Sequence, residues 1–309
     1  MLLQYLLENL TNVEISGDTN KEINKIEYDS KKIEKDDIFV AINGYKDTGI
    51  KYIDEAIEKG ACAIVYQDEI EKWENITYIK VENSRIALAI MSATYYGNPA
   101  RKLKIIGVTG TKGKTTTTYM IRDIMLASGK KIGMIGTICN TYGSVKEESI
   151  RTSPESLDLQ ALLARMVEAG MEYVVMEVSS HALALNRVYG IRFIVGVFTN
   201  LSEDHLDFHG TMDNYLKAKA KLFEMSDFAI INGDDIYAPR LLKMINIKKA
   251  TYGLDNAVDL TATDIRVNPS YVEFKMYVNK MLETIRINIP GRFTVYNALA
   301  AIGVCSLFG

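Results

Sequence analysis

The sequence predicts an α/β protein with a small N-terminal α/β domain and a larger central domain, whose mostly parallel sheet carries an antiparallel β extension. Two series of short apolar runs alternate with helix-like segments, one before and one after a Gly/Pro-rich break near residue 98. From residue 259 to 289 the pattern changes to alternating apolar and polar residues, which is typical of antiparallel strands.

The N-terminal domain is predicted over residues 1–98. Its first ten residues repeat apolar side chains at helical spacing and include Gln4 and Glu8, so they indicate an amphipathic helix rather than a signal peptide. Strands are predicted at Ile38–Ile42, Ala61–Tyr66 and Thr77–Val81, and helices at Tyr52–Lys59 and Ser84–Tyr96. The turn that starts at Gly97 is the predicted linker.

The central domain is predicted over residues 99–309. Its apolar strands are short and continuous, which is typical of a parallel sheet covered by helices on both faces. The predicted strands are Lys104–Thr109, Lys131–Thr137, Tyr173–Val178, Phe193–Thr199 and Asp227–Asn232. The predicted helices are Thr115–Ser128, Leu157–Ala169, Thr211–Phe223, Asp235–Asn246 and Phe293–Phe308.

Composition excludes several classes of protein. The 309 residues are 48% apolar and 24% charged, and a net charge of −3 gives no electrostatic reason to expect nucleic acid or an anionic membrane as partner. Three scattered cysteines (Cys62, Cys139, Cys305) are too few for a disulfide framework or a zinc cluster. No apolar stretch approaches the roughly 20 residues of a membrane span. We therefore expect a cytoplasmic protein without membrane insertion.

A glycine-rich loop follows the first strand of the central domain. The sequence Gly110-Thr-Lys-Gly-Lys-Thr-Thr116 stands between a predicted strand and a predicted helix. Glycines let backbone N–H groups face an anion, while Lys114 adds a mobile cation and the Thr115 hydroxyl a ligand for Mg²⁺. Val108 occupies the place of the first glycine of the general P-loop pattern, so the loop is a shorter form. This loop predicts ATP binding in a P-loop-type domain.

The histidines and several carboxylates lie after two strands of the same sheet. Glu177 ends one strand and is followed by His181, whereas His205 and His209 follow the next strand. Ligands bind beyond the carboxyl ends of parallel strands, so both groups are expected beside the phosphate loop. The pattern fits a Mg²⁺ or Mn²⁺ site, and it also fits a salt-bridged loop with capping histidines.

Lys219 lies on the apolar face of a predicted helix. At 100° per residue, Lys217 and Lys221 share one side, while Lys219 points among Tyr215 and Leu222. A buried lysine tends to be neutral, and a neutral amine can react with CO₂ to give a carbamate, which would offer oxygen to a metal. The residue pattern alone favours the alternative, a side chain that extends to solvent.

Taken together, these motifs resemble the Mur ligase family. The matching segments are 107–116, 152–156, 176–183, Asn186-Arg-Val, 198–211, Ala218-Lys219 and 290–301, and the early segments 29–31 and 37–44. They are most similar to the UDP-N-acetylmuramoyl-tripeptide synthetase branch, and the resemblance covers essentially the whole chain. It implies that the N-terminal domain binds the UDP-MurNAc substrate and the central domain binds ATP.

The resemblance implies an ADP-forming amide ligase of peptidoglycan and cell wall synthesis. In this reaction the γ-carboxylate of UDP-MurNAc-L-Ala-D-Glu attacks the γ-phosphate of ATP to give an acyl phosphate, and the amine of an amino acid then displaces phosphate. Preorganised cations and N–H donors would stabilise the charge on the phosphoryl oxygens. The amino acid is expected to be meso-diaminopimelate or L-lysine, and the protein a monomer.

The resemblance also assigns site residues. The implied catalytic residues are Lys114, His205 and Lys219. The implied ATP contacts are Gly110, Thr111, Lys112, Gly113, Lys114, Thr115, Thr116 and, near the adenine, Asn297. Two Mg²⁺ ions are implied at Thr115, Glu177, His205 and Lys219, and the resemblance favours carbamylated Lys219. The implied substrate contacts are Ser30, Gly44, Tyr45, Lys46, Arg151, Thr152, Ser153, Ser179, Arg187 and His209.

The sequence departs from the family pattern in three places. Lys112 stands where asparagine is usual, and Arg151-Thr152-Ser153 replaces Asn-Thr-Thr. The third, C-terminal Rossmann-like domain of the family is expected to be absent, so these 309 residues alone are expected to have little ligase activity. A non-catalytic fragment that binds ATP and the UDP-sugar is one alternative, and a folylpolyglutamate synthetase-like ligase is another.

Overall fold

The structure is a computed structural model that describes residues 1–44, 48–278 and 280–308. It forms two compact units, of which the first contains residues 1–100, 154–165 and 185–190, and the second contains 101–153, 166–184 and the residues from 191 onwards. The sequence suggested one division, after residue 98, and that boundary stays a prediction. Within the described residues, no helix combines the length and apolar character needed to cross a bilayer.

The first unit is a five-stranded sheet with short helices. Its elements are α1 (Leu3–Leu7), β1 (Glu14–Ser16), β2 (Ile26–Glu27), β3 (Ile38–Val40), α2 (Ile53–Glu58), β4 (Ala63–Tyr66), β5 (Thr77–Lys80) and α3 (Ser84–Tyr95). The strand order is β1-β5-β4-β3-β2, with β2 to β5 parallel and β1 antiparallel. Ile38 and Val40 belong to one apolar cluster and Phe39 to another, because neighbouring strand residues point to opposite faces.

The second unit is built on a nine-stranded sheet. The elements up to its middle are β6 (Lys104–Thr109), α4 (Lys114–Ala127), β7 (Ile132–Ile135), β8 (Cys139–Tyr142), β9 (Val145–Glu148), α5 (Ser156–Glu168, mostly counted with the first unit), β10 (Tyr173–Glu177) and α6 (Ser180–Ala184). They are followed by β11 (Phe193–Phe198), α7 (Leu206–His209), α8 (Met212–Glu224), β12 (Phe228–Asn232), α9 (Ala238–Met244), β13 (Lys248–Gly253), β14 (Leu260–Thr261), β15 (Thr263–Val267), β16 (Val272–Val278), β17 (Met281–Ile287) and α10 (Arg292–Cys305).

The strand order of this sheet places β6 near its centre. The order is β14-β13-β12-β11-β6-β10-β7-β8-β9, and the seven strands from β14 to β7 are parallel. Strands β15 to β17 form a separate antiparallel sheet. Because β6 lies between β10 and β11, the segments that follow these three strands emerge at one edge of the sheet.

The predicted α/β class with a parallel sheet and an antiparallel extension is confirmed. The sequence did not predict β1, β2, β13, the β8–β9 hairpin or the short helices α6 and α7. It was also wrong at the start of the stretch predicted to be antiparallel, because β14 pairs in parallel with β13. Four-residue strands and helices of four or five residues are too short for their periodicity to show. The helix predicted at Asp235–Asn246 is shorter, since the Asp235 carboxylate accepts a hydrogen bond from the backbone of Tyr237 and holds a turn before α9 begins.

Candidate functional site

The loop between β6 and α4 has a backbone that requires glycine at two positions. Gly110 has φ +152° and Gly113 φ +85°, conformations that other residues adopt at a cost. A Cβ at Gly110 would lie 1.9 Å from the Thr199 hydroxyl oxygen, and one at Gly113 would lie 2.5 Å from the Asn297 Oδ1. The loop is therefore packed tightly against the end of β11 and against α10.

The loop backbone between these glycines is held by the residues that follow β11. The Lys112 N–H donates to Asn200 Oδ1 at 2.9 Å, and its carbonyl accepts from Asn200 Nδ2 at 2.9 Å and from Thr199 Oγ1 at 2.7 Å. The Thr111 N–H donates to the Asn200 carbonyl at 2.9 Å. These contacts fix the loop, while the Lys112 side chain itself is exposed.

Two lysines meet at the carbonyl oxygen of Gly110. Lys114 Nζ donates to it at 2.9 Å and also to the Thr111 carbonyl at 3.0 Å, and Lys219 Nζ reaches it at 2.8 Å. Lys219 is only 1% exposed. Burial lowers the pKa of Lys219 far below its ordinary value, and the nearby Lys114 lowers it further. Burial also lowers the pKa of Lys114. Lys219 is therefore buried and does not extend to solvent, and its amine can exist in the neutral, nucleophilic form.

Glu177 ends β10 and faces the start of α4. Its carboxylate accepts hydrogen bonds from Thr115 Oγ1 at 2.9 Å, from the Thr137 N–H at 2.8 Å and from Thr137 Oγ1 at 3.1 Å. The residue is 1% exposed, and a Cβ at Gly136 would lie 2.7 Å from Glu177 Oε1. The buried Glu177 carboxylate is thus in contact with the hydroxyl of Thr115, the residue after Lys114.

The three histidines form an aromatic cluster in the second unit. His205 has φ +52° and is the residue before α7, with its ring 4.8 Å from the His181 ring centroid. The His209 ring is 5.8 Å from that of His181 and stacks on Tyr215 at 4.7 Å. The sequence predicted that the histidines lie together, and the structure brings them together through α6, α7 and α8.

His209 is the most buried of the three. It is 8% exposed, and its Nε2 lies 2.9 Å from the Ser180 hydroxyl oxygen. Burial, reinforced by the neighbouring His181, lowers the pKa of His209 to about 4. The ring is therefore neutral near pH 7. Its predicted contact with substrate stays a prediction.

The residues predicted to hold metal are partly brought together. Thr115 and Glu177 are in contact, and Lys219 donates a hydrogen bond to the Gly110 carbonyl of the loop. The His205 ring, by contrast, packs against the rings of His181 and Tyr215. Within the described ranges, no three His, Cys, Asp or Glu side chains are grouped closely enough to hold an ion by themselves. Hydroxyl and carboxylate oxygens fit Mg²⁺, and Lys219 would fit only as a carbamate.

Thr152, Ser153 and Ser179 lie close to the end of β10. Ser153 Oγ donates to the Glu177 carbonyl at 2.9 Å and accepts from the Ser179 N–H at 3.0 Å. The Thr152 hydroxyl lies 3.1 Å from that of Thr137, which itself contacts Glu177. Three predicted substrate contacts are therefore directly connected to the predicted metal site.

The two arginines predicted to contact substrate have different surroundings. Arg151 is exposed, and its carbonyl accepts from Ser149 Oγ at 2.7 Å. Arg187 lies in the first unit with its Nε 2.7 Å from Glu155, a buried carboxylate that also pairs with Arg85 at 2.9 Å. Sequence reasoning did not single out Glu155, although the motif that contains it was recognised.

The remaining predicted substrate contacts lie in the first unit. Ser30 Oγ donates to Glu55 at 2.6 Å and is buried, and Gly44 lies in a segment without regular structure. The predicted contacts Tyr45 and Lys46 lie outside the described residues.

A cavity of about 550 Å³ opens beside the loop between β6 and α4 in the second unit. It is lined by Lys112, Gly113, Thr116, Thr199, Asn200, Asn232, Asp234, Asp235, Tyr252, Phe293, Tyr296 and Asn297. Sequence reasoning missed Asp234 and Tyr296. The sequence did contain a signal, because Asp234 follows the predicted strand Asp227–Asn232, where ligand-binding side chains are expected in a parallel sheet.

Comparison with known families agrees with this arrangement. The model described as the Mur ligase middle domain matches residues 108–305, and the model described as the Mur ligase family, catalytic domain, matches residues 22–96. The UDP-N-acetylmuramoyl-L-alanyl-D-glutamate–2,6-diaminopimelate ligase 1 of Clostridium acetobutylicum is 49% identical over 291 residues, which are 94% of this chain and 60% of that protein. The corresponding Clostridium botulinum ligase is 48% identical over 295 residues, 94% of this chain and 61% of that protein.

Solved structures show the same architecture. The structure of a UDP-N-acetylmuramoyl-L-alanyl-D-glutamate–2,6-diaminopimelate ligase superposes with a TM-score of 0.84 at 25% identity, covering 100% of this chain and 64% of that one. A Mycobacterium tuberculosis folylpolyglutamate synthase, at a TM-score of 0.59 and 18% identity over 73% of this chain and 59% of that one, shares the fold. The chain spans about 60% of the length of the curated relatives named above. The resemblance seen in the motifs is confirmed: this chain belongs to the Mur ligase family.

Proposed function

We propose that this chain provides the ATP-binding and UDP-muramoyl-peptide-binding parts of an ADP-forming ligase that adds 2,6-diaminopimelate to UDP-MurNAc-L-Ala-D-Glu. The choice of diaminopimelate over L-lysine rests on the names of relatives that are 48–49% identical. A cytoplasmic location and a monomeric state remain predictions.

The observation that carries the proposal is the convergence on the phosphate loop. A glycine-dependent loop, two lysines on the Gly110 carbonyl and the Glu177–Thr115 pair all lie at the carboxyl edge of one sheet, next to the cavity. This is the arrangement that phosphoryl transfer needs, because catalysis there consists mainly of positioning and of stabilising charge.

In the proposed reaction, N–H groups of residues 110–116 bind the phosphates of ATP, and Lys114 exchanges its two backbone carbonyl partners for phosphate oxygens. Thr115, Glu177 and His205 would hold two Mg²⁺ ions, which neutralise charge on the phosphates. The substrate carboxylate takes the γ-phosphoryl group and ADP leaves. The amine of diaminopimelate then attacks the acyl phosphate, forms the amide and releases inorganic phosphate.

Lys219 is proposed to act as a carbamate. Its neutral amine adds CO₂, forms an N–C bond and releases one proton to water. The nitrogen keeps one hydrogen, which can continue to donate to the Gly110 carbonyl, now 2.8 Å away. The new carboxylate oxygens would then support the second metal ion, with the ring of Tyr215 packed 4.5 Å from the nitrogen.

The proposed substrate contacts follow the family pattern. Thr152, Ser153 and Ser179 are placed to meet the dipeptide close to the proposed metal ions, and Arg151, Arg187 and His209 are kept as proposed contacts on the resemblance alone. Ser30 and the stretch Gly44–Lys46 are proposed for the uridine nucleotide.

Calorimetry with this chain tests the proposal. We expect magnesium-dependent binding of ATP, and binding of UDP-MurNAc-L-Ala-D-Glu without binding of a folate. The Lys114→Met variant should lose ATP binding and keep UDP-MurNAc-L-Ala-D-Glu binding, which serves as an internal control for folding. Tight folate binding without UDP-MurNAc-L-Ala-D-Glu binding would favour a folylpolyglutamate synthetase-like ligase and overturn the assignment.

A further inference from the structure

The wall of the cavity that follows β12 and meets α10 contains a hydrogen-bonded network centred on Asp234. Its carboxylate accepts backbone N–H groups from Leu254 at 2.5 Å, Asp255 at 3.0 Å and Asn256 at 2.8 Å. A Cβ at Gly253 would lie 2.7 Å from this carboxylate, so the turn after β13 wraps closely around it. These backbone bonds lower the pKa of Asp234 although burial opposes them, so it is ionised near pH 7.

Tyr296 joins this network to α10. Its hydroxyl lies 2.9 Å from Asp234 Oδ2 and 3.2 Å from Asp255 Oδ2. Burial and the hydrogen bond to Asp234 raise the pKa of Tyr296, so its hydroxyl is protonated near pH 7. A second link from the same helix joins Arg292 to Asp255 at 2.5 Å. One hydroxyl group is thus placed between two carboxylates.

The charges along the cavity determine the orientation of a bound nucleotide. Lys112, Gly113 and Thr116 belong to the loop and the start of α4, whereas Asp234 and Asp235, which also line the cavity, follow β12. Carboxylates repel phosphates and accept hydrogen bonds from hydroxyl and amino groups. The ribose and base are therefore expected beside Asp234 and Tyr296, and the phosphates at the loop.

We infer that Tyr296 is a positioning residue that fixes this wall for the sugar and base of the nucleotide. It holds the like-charged Asp234 and Asp255 together, and so keeps the 254–256 turn against α10. Without the hydroxyl the two carboxylates lose their shared donor and repel each other, and only the Arg292–Asp255 contact still ties the turn to the helix. The inference rests on the proposed binding of ATP to this cavity.

The Tyr296→Phe variant of this chain tests the inference, because it removes only the hydroxyl. Binding of ATP, ADP and inorganic tripolyphosphate is measured by calorimetry with magnesium. We expect ATP and ADP to bind about 3- to 10-fold more weakly, by the same factor, since they share base and ribose. Tripolyphosphate, which has neither base nor ribose, should bind as before.

Two further variants separate positioning from a general loss of stability. Tyr173→Phe removes a hydroxyl 3.3 Å from Lys104 Nζ, at the amino ends of β10 and β6 and so at the opposite edge of the sheet from the loop, and should leave nucleotide binding unchanged. Tyr296→Phe combined with Asp255→Asn removes the repulsion as well as the hydroxyl, while the amide oxygen at position 255 can still accept the hydrogen bond from Arg292. We therefore expect ATP affinity to recover to within about twofold of the original.

The outcomes are distinct. Unchanged ATP affinity in Tyr296→Phe, an equal loss for tripolyphosphate, or no recovery in the double variant would each overturn the inference. If the unaltered chain bound neither ATP nor ADP, the proposed function itself would be wrong. That failure is distinct, because it is measured on the unaltered chain and not on a variant.

Discussion

Replacing Gly110 by alanine should strongly weaken ATP binding and destabilise the second unit. Two effects of the new methyl group can be separated. Gly110 has φ +152°, and a non-glycine residue there costs about 1–3 kcal/mol in backbone strain. The methyl would also lie 1.9 Å from the Thr199 hydroxyl oxygen and 3.1 Å from the Asn200 nitrogen, so Thr199 has to rotate.

That rotation breaks the hydrogen bond from Thr199 Oγ1 to the Lys112 carbonyl, now 2.7 Å, which contributes about 1 kcal/mol. The sum is a loss of about 2–4 kcal/mol in the free energy of unfolding. The Gly110 carbonyl also moves, and with it the acceptor shared by Lys114 and Lys219. We therefore expect ATP affinity to fall by at least about 30-fold.

Urea unfolding followed by circular dichroism and ATP calorimetry measure the two losses. Gly129→Ala is the matched control: Gly129 has φ +79° but nothing within 4 Å of its would-be Cβ, so only strain of about 1 kcal/mol is expected, with normal ATP binding. Gly110→Ala combined with Thr199→Ala should regain part of the stability, because the hydroxyl is gone. The reasoning is refuted if Gly110→Ala costs no more than the control or keeps ATP affinity within threefold.

Three other experiments have defined outcomes. Glu177→Gln should weaken ATP binding in the presence of magnesium about tenfold or more, because a neutral amide is a poor Mg²⁺ ligand. Calorimetry without magnesium should show little change, and an unchanged magnesium dependence would contradict the proposed metal site. Glu155→Gln should cost about 3 kcal/mol, since its partner arginines lose a buried counter-charge, and fluorescence of Trp73, in the same unit, should report an earlier urea transition. Burial raises the pKa of Cys305 to about 12, so at pH 8 only about 10⁻⁴ of this thiol is ionised. Alkylation of the native protein followed by mass spectrometry should therefore leave Cys305 unmodified. Because the pKa of this thiol returns to about 8.5 on unfolding, the free energy of unfolding should fall as the pH rises from 8.5 towards 12.

The sequence predicted the architecture because the strongest signals were local. Continuous apolar strands, a glycine-rich turn and helical periodicity gave the parallel sheet with its loop between β6 and α4. The β8–β9 hairpin was missed, since each strand has four residues and β9 is largely exposed and polar. Such strands are stabilised by pairing with neighbours, and pairing partners cannot be read from a short segment.

The site was predicted in outline for the same reason. The order of strands and helices was enough to place the carboxylate, the histidines and the loop at one edge of the sheet. The role of individual side chains depended on packing. For Lys219 the residue pattern alone favoured a solvated ammonium, and only the structure shows an amine that is 1% exposed and hydrogen-bonded to Gly110.

By itself, the sequence determined the fold class, the phosphate loop and the family, since each depends on residue types at fixed spacings along the chain. Only the tertiary structure decided which groups share a partner: two lysines at one carbonyl, Glu177 with Thr115, and Tyr296 between two carboxylates. Contacts such as that between Tyr296 and Asp234 join residues 62 positions apart. Burial and hydrogen bonding between residues so far apart in the sequence depend on how the strands are ordered in the sheet. The sequence around each residue does not determine that order.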